Sequence, residues 1–404
     1  MKKQLLVTLV AVATAGMAQA ATLDDGKLTI SGFGTLGAAQ SDTDTVQFAR
    51  YNQAVGVKDS PRIGLDSNLG LQASYQFNDS LSGTVQVLTR KNTSTSFTTD
   101  VTWGFLKMKV TDELSVRVGR VAAPTFLISD YQNVGYANTM MRPPIEMYGQ
   151  SPMENVDGLD VNFQRAYGDT NVTAQVFAGV SRGKLFVNSG GGSVAKYDAP
   201  ALGFSVSAER GPFTLRFGHA RAKLDTSGIA PVNALTTSLT SLGFAQLARD
   251  ITLDGGKKIA FTSLGLTMDW NDIVVQTEYA QRRAKQAVYI PDTNAWYVMG
   301  GYRIGSVLPY YAHASYRGAG SSVTVPAGLS RVPPLASAVG TLLASAEQSS
   351  NLVGVRWDFH KALALKVQVD RVKPKAKSGS LIFPTAGVQK DSVTVVAAAV
   401  DFVF

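Results

Sequence analysis

The sequence predicts an all-β chain: a closed transmembrane antiparallel β-barrel of about sixteen strands, with short periplasmic turns and long extracellular loops. Three observations predict it. Apolar and polar residues alternate with a period of two in segment after segment. The connections between those segments alternate between short and long. The chain finishes on "SVTVVAAAVDFVF", where Val396, Ala398, Val400, Phe402 and Phe404 share one parity and Asp401 falls on the other. Chain ends are usually polar and frayed, so a terminal strand of this kind reads as one that is paired, as in a closed barrel.

Composition agrees. The 404 residues include no cysteine, so neither a disulfide framework nor a thiolate site is available. An exported envelope protein with a large barrel needs no such staples. Charged residues make up 17% of the chain, below the usual quarter, which suits an outer surface facing lipid. The formal charge is +8, but the basic residues are scattered rather than run together, so no nucleic-acid partner is expected. The first residues read as a leader: basic "MKK", apolar "LLVTLVAVATAG", and an Ala18-Gln19-Ala20 cleavage site. The apolar run is shorter than the roughly 18 residues a spanning helix needs. Residues 1–20 are therefore expected to be a cleaved signal peptide, and residues 21–404 a single barrel domain.

The strands follow in order. The first begins near Leu28. The second, from Ile63, alternates most clearly: in "RIGLDSNLGLQASYQF", Ile63, Leu65, Leu69, Leu71, Ala73, Tyr75 and Phe77 oppose Arg62, Asp66, Asn68, Gln72, Ser74 and Gln76. Strands near Leu81, Thr99 and Leu114 come next, the last two alternating less cleanly, as bulged strands do. The middle of the chain supplies segments near Leu159, Val172, Leu202, Phe213, Ile259, Ile273, Trp296 and Leu308. From Leu352, "LVGVRWDF" sets Arg356 and Asp358 against Val355, Trp357 and Phe359. From Leu363, "LALKVQVD" sets Lys366, Gln368 and Asp370 against Leu365, Val367 and Val369. The last strand starts near Ser392.

The links "NDS", "TDE", "GDT", "RGP", "WND", "GSV" and "HKA" are tight turns. Between them lie longer linkers at residues 39–61, 92–98, 121–158, 183–200, 225–258, 287–294, 318–350 and 374–390. Loops this long count against a soluble domain. A soluble sandwich or solenoid would also have to hide an apolar parity in every segment. A barrel turns that parity to lipid and pairs every backbone group around the closed sheet. Aromatics near strand ends fit the interfacial girdles: Tyr75, Phe77, Trp103, Phe213, Trp270, Tyr279, Trp296, Tyr316, Trp357, Phe402 and Phe404. Two long loops carry "ALTTSLTSLGFAQLA" and "LASAVGTLLASAEQ", which are expected to form short helices or a plug.

On these features the chain resembles the Gram-negative trimeric porins, across its leader, its strand-and-loop plan and Phe404. A local match is "LSVRVGRVAAPTFLISD", similar to the porin segment that leads from the fifth strand into an inward-folded third loop. Residues 121–158, the longest connection, stand at that place. The compact acidic element usual there is replaced by "MMRPPIEMYGQSPMENVDG". The resemblance implies a homotrimer in the cell outer membrane, in contact with lipid and lipopolysaccharide. It implies assembly by the barrel-assembly machinery, with Phe404 as its signal. It implies a water-filled channel for passive diffusion of small hydrophilic solutes. It also implies an arginine wall on the early strands facing carboxylates of the third loop. Parity and position make Arg62, Arg90, Arg117 and Arg120 the candidates for the wall. Asp130, Glu146, Glu154 and Asp157 are the candidate loop acids, with Arg142 and Tyr131 beside them. Met140, Met141 and Met147 are expected to pack the loop against the wall. Opposed charges across a narrow ring create a transverse field, and the net positive charge suggests a weak anion preference. A substrate-selective porin, for example for organic acids, and a loop-occluded barrel acting as adhesin or phage receptor are the alternatives.

Enzymatic chemistry finds no support in the sequence. His219, His313 and His360 are far apart, and nothing resembles a triad, so no catalytic residue is expected. Dispersed histidines without cysteine give no metal set, and no cofactor is expected. "GKLFVNSGGGS" lacks the Gly-Lys-Ser/Thr ending and following helix of a phosphate loop, and reads as a mobile loop.

Overall fold

The structure is a computed structural model describing residues 20–187, 192–227, 229–252, 256–284, 292–318, 323–343, 347–375, 383–384 and 392–404. Residues 1–19, nearly all of the expected leader, lie outside the described residues, as does most of the loop at 374–390.

Sixteen strands form the wall: β1 (Leu28–Ser41), β2 (Asn68–Asn78), β3 (Leu81–Lys91), β4 (Phe97–Lys109), β5 (Leu114–Ala122), β6 (Asn155–Tyr167), β7 (Thr170–Val187), β8 (Ser193–Arg210), β9 (Phe213–Ser227), β10 (Lys257–Trp270), β11 (Ile273–Arg283), β12 (Thr293–Tyr302), β13 (Val307–Gly318), β14 (Glu347–His360), β15 (Leu363–Pro374) and β16 (Val393–Val403). Each pairs antiparallel with the next, and β16 returns to β1 with Phe33 opposite Val403 and Ala38 opposite Ala398. Past that ladder, the amides of Gly32 and Phe404 each donate to the other's carbonyl oxygen at 2.9 Å. The sheet has no free edge there, which accounts for an apolar run carried to Phe404. Two short pieces, Ala21–Leu23 and Arg62–Ile63, pair alongside β1.

The alternation read from the sequence is the alternation of the wall. Leu69 and Leu71 of β2 and Leu106 and Met108 of β4 are among the exposed large apolar residues, interleaved with polar Gln72, Ser74 and Lys107. So much exposed apolar surface is costly in water and stable against hydrocarbon. No helix among the described residues is long and apolar enough to cross a membrane. Most of the expected girdle aromatics lie on the outer parity. Tyr316 instead is buried inside, accepting from Arg282 at 3.2 Å. Trp103 also faces the lumen, because its register partner is the inward Gln86 and the ladder shifts between Gln86 and Val87. That bulge is the irregularity expected for the fourth strand.

At two boundaries the difference from the sequence reading has a visible cause. The second strand starts at Asn68 rather than Ile63: after Arg62–Ile63 the chain breaks at Gly64, whose φ of +126° only glycine adopts readily. Gln53 Nε2 holds the break by donating to the Leu65 carbonyl at 3.0 Å. The linker expected at 183–200 is instead mostly ladder, since β7 and β8 pair from Thr170–Arg210 out to Val187–Ser193. Residues 188–191 of its glycine stretch lie outside the described residues.

The loops at the outer end carry the helices. Loop 3, residues 123–154, holds α1 (Ile145–Tyr148). Loop 5 holds α2 (Ala230–Ser241) and α3 (Ala245–Ile251), and loop 7 holds α4 (Pro333–Leu343), so both helix-rich stretches are helical as expected. Leu239, Leu247, Ile251, Leu329 and Val339 form a small apolar core between those two loops. Ile229 and Val232 dock this cap onto the main buried cluster, with Leu342 packing against both.

Candidate functional site

Loop 3 folds into the barrel and follows the inner wall from β10 to β16. Thr125 accepts from Ser263 Oγ of β10 at 2.7 Å. Leu127 N–H and the Tyr148 hydroxyl donate to the two oxygens of Glu278 on β11, at 2.8 and 2.7 Å. Arg282 Nη1 donates to the Gln150 carbonyl at 2.6 Å, and Thr293 Oγ1 to Gln150 Oε1 at 2.7 Å. Met141 N–H reaches Gln368 Oε1 of β15 at 3.1 Å. Lys366 Nζ donates to the Gly135 carbonyl at 2.7 Å while pairing with Asp401 of β16 at 2.9 Å. Tyr136, at the loop's deepest reach, donates to the Lys361 carbonyl in the β14–β15 turn at 2.8 Å. These bonds satisfy a long irregular segment that would otherwise bury unpaired backbone.

The wall is shaped to take the loop. Inward positions on β8, β9, β12 and β13 are small: Ala199, Ala201, Ala220, Ala295, Ala312 and Ala314 are buried together with Phe126, Met140 and Met147. Met140, Met141 and Met147 all pack, at 3, 5 and 0% exposure, which is the role expected of them. This half of the lumen is therefore a packed core.

One ion-pair cluster clamps the loop. Arg142 forks onto Asp66, at 2.8 and 2.7 Å, and also binds Asp370 of β15. All three side chains are at most 3% exposed. Burial works against the Arg142 charge, but Asp66 and Asp370 outweigh it and raise its pKa.

The eight expected pore residues divide into groups. Arg90 and Glu154 meet at 2.6 Å, with Asn133 of loop 3 also accepting from Arg90 at 3.0 Å; here an early-strand arginine faces the loop. Arg117 pairs instead with Asp160, its neighbour on β6, at 2.6 and 2.8 Å. Arg120 pairs likewise with Asp157, at 2.6 and 2.8 Å. Asp157 belongs to β6 rather than to the loop, because loop 3 ends at Glu154. Arg120 and Asp157 share backbone parity with the exposed Val118 and Leu159, while the Arg120 side chain reaches across β4 to the Val101 carbonyl at 3.0 Å. Asp130 meets Arg216 of β9 at 3.1 Å. Glu146 is 1% exposed and accepts from Gln348 and Ser350 of β14, so it anchors the loop and does not face water. Arg62 is exposed near the outer rim, with no ion pair among the described residues.

Sequence reasoning missed Arg50, Asp160 and Arg216. Asp160 and Arg216 had a usable signal: each sits on the polar parity between apolar neighbours, Leu159 and Val161, and Leu215 and Phe217. Arg50 had none, lying in a loop without period.

Three spaces surround these groups. Between the β1–β2 loop and loop 3, a cavity of about 70 Å³ is lined by Arg50, Gln53, Arg90, Asn133 and Glu154. Arg50 makes no ion pair among the described residues; burial lowers its pKa against the pull of Asp66. A cavity of about 260 Å³ beside β4 is lined by Arg90, Asp100, Arg120 and Glu154. Towards the short turns the lumen widens to about 770 Å³ along β1–β7, past Gln72, Trp103, Lys107 and Arg117. Such a passage carries solutes by its width and its fixed charges, with no bond made or broken. Among the described residues no group of three or more His, Cys, Asp or Glu could hold a metal ion.

The model of a family described as Gram-negative porin matches residues 7–377. Solved structures agree in fold. The outer membrane channel DcaP of Acinetobacter baumannii aligns with a TM-score of 0.59 at 12% identity, over 96% of this chain and 100% of that one. OmpF of Salmonella typhi, solved in complex with daunomycin, aligns with a TM-score of 0.54 at 13% identity, over 95% and 99%. An anion-selective porin from Comamonas acidovorans aligns with a TM-score of 0.53 at 13% identity, over 93% and 99%. No curated protein matches the chain.

Proposed function

The chain belongs to the Gram-negative porin family, and we propose that it acts as a homotrimer that favours small anions weakly over cations. As a member of that family it is an outer-membrane diffusion channel. The anion preference rests on one observation. Arg50 and Arg62 towards the outer face, and Lys27 and Lys107 towards the periplasm, have no carboxylate partner among the described residues. Of the four acids expected to oppose them, Asp130, Glu154 and Asp157 are each held by an arginine and Glu146 is buried. Asp100, held by Asn92 at 2.9 Å, is an acid of the outer cavity with no ion pair among the described residues. A unit charge about 7 Å from an ion in water contributes roughly 0.6 kcal/mol, and salt screens it beyond about 8 Å. A few such charges give a preference of a few-fold.

The remaining roles follow from the same reading. Residues 1–20 direct export and are removed. Phe404 is the signal for the barrel-assembly machinery. The outer parity meets lipid and the rim meets lipopolysaccharide. The protein carries out no bond chemistry, and needs no cofactor.

Planar-bilayer recording with a salt gradient tests this. Stepwise openings with a zero-current voltage on the anion side are expected. A cation-side voltage would overturn the preference, and folded barrel giving no openings would overturn the open channel. Unboiled protein should migrate as a high-mass band that boiling collapses; identical migration would refute the trimer.

A further inference from the structure

The periplasmic half of the lumen has chemistry that simple diffusion does not need. Trp103 and Phe105 stand on the inward parity of β4, their rings tilted 49° with centroids 6.4 Å apart. Lys107 is the next inward residue on the same strand, about 7 Å further along at the usual rise. All three line the space of about 770 Å³, together with Lys27 and the amides of Gln72 and Gln164. The lysine charges are unspent: neither Lys27 nor Lys107 has an ion pair among the described residues. Their neighbours are compensated, Lys109 by Asp112 at 2.6 Å and Arg117 by Asp160 at 2.6 Å. The Arg117 guanidinium lies 5.2 Å from the centroid of the Phe105 ring, so Phe105 is braced from one side. Trp103 has no such cover, and its indole N–H has no acceptor among the described residues.

Resting on the channel reading above, we propose that this shelf is a binding subsite for aromatic carboxylates, small planar anions in transit. The ring stacks on the free face of Trp103, with Phe105 as backing. The carboxylate turns along β4 to Lys107, with Lys27 at the mouth. Either element alone binds poorly in water. An exposed ammonium gains little from a carboxylate, while an aromatic contact contributes the rest. A neutral sugar would use the ring face but leave both ammonium groups idle, which is why the anion is favoured.

Block of single-channel current by benzoate, added on the turn side to the full-length channel in potassium chloride, tests this. Acetate, cyclohexanecarboxylate and glucose serve as comparisons. Chloride conductance alone reports whether the protein is a channel, so failure of that reading shows before any benzoate is added. Benzoate should block at about one-tenth the concentration of acetate. Trp103→Leu should weaken the block about fivefold. Lys107→Glu should weaken it at least as much, and this exposed substitution has no packing to disturb should the tryptophan variant fail to fold. Equal block by benzoate and acetate would overturn the proposal, as would equal block by cyclohexanecarboxylate. Glucose competing as well as benzoate would assign the shelf to neutral rings and overturn it too.

Discussion

Replacing Arg142 with methionine should loosen loop 3. The change keeps length and apolar packing but removes the cation shared by Asp66 and Asp370. Both carboxylates are 3% exposed, so neither gains water in exchange. Losing one partner of a buried ion pair costs about 3–5 kcal/mol. At 1.4 kcal/mol per tenfold, about 4 kcal/mol raises the detached population of this part of the loop roughly a thousandfold. Single-channel recording should show a larger and noisier current, and urea unfolding in lipid vesicles should shift to lower urea. Adding Asp66→Asn and Asp370→Asn to the variant should restore most of the loss, because no buried charge is then left alone. Quiet wild-type current, with stability changed by less than about 0.5 kcal/mol, would refute the clamp.

Other substitutions probe separate parts. Phe404→Ala should lower the amount of heat-modifiable barrel in cells while leaving refolding in detergent nearly normal; an equal defect in both would make the residue structural rather than a signal. Leu239→Ala, at a position with 0% exposure in the loop 5–loop 7 cap, should cost about 2–5 kcal/mol locally. Its readout is faster proteolysis in those loops at unchanged conductance, since the cap docks on the packed half of the barrel. Arg50→Glu should move the zero-current voltage towards the cation side, and no movement would remove Arg50 from the conducting path.

The wall was legible in the sequence because a strand that faces lipid on one side and water on the other writes its parity plainly. "LALKVQVD" needed nothing else, and in "RIGLDSNLGLQASYQF" only the break at Gly64 escaped the pattern. The same parity put Arg90 and Arg117 on the inward side. It did not give their partners, because register brings Asp160 beside Arg117, and pairing between distant strands is not a local property. Arg120 misled for a related reason. It lies three residues after Arg117, an odd step that changes backbone parity, with Gly119 at φ +129° between them. The ends of β7 and β8 were read as linker because glycines dominate "GKLFVNSGGGS", yet the ladder runs on through Lys184 opposite Lys196. The resemblance implied that loop 3 folds inward, but which strands it follows was not legible. Its clue was spread thinly: single alanines such as Ala220, Ala295 and Ala312, each ordinary on its own strand, make a recess only once the barrel closes.

That recess sets where a solute travels. With loop 3 filling one side, the aqueous path is off-axis and runs against β1–β7. A permeating ion then has protein of low polarizability on its left and a charged, hydrated surface on its right. Field lines from Arg50, Arg62 and Lys107 cannot spread into the packed side and are squeezed into the water that remains. A handful of charges thus acts on a narrow crescent of solvent instead of a wide cylinder. The apolar filling, which touches no solute, amplifies the polar wall opposite.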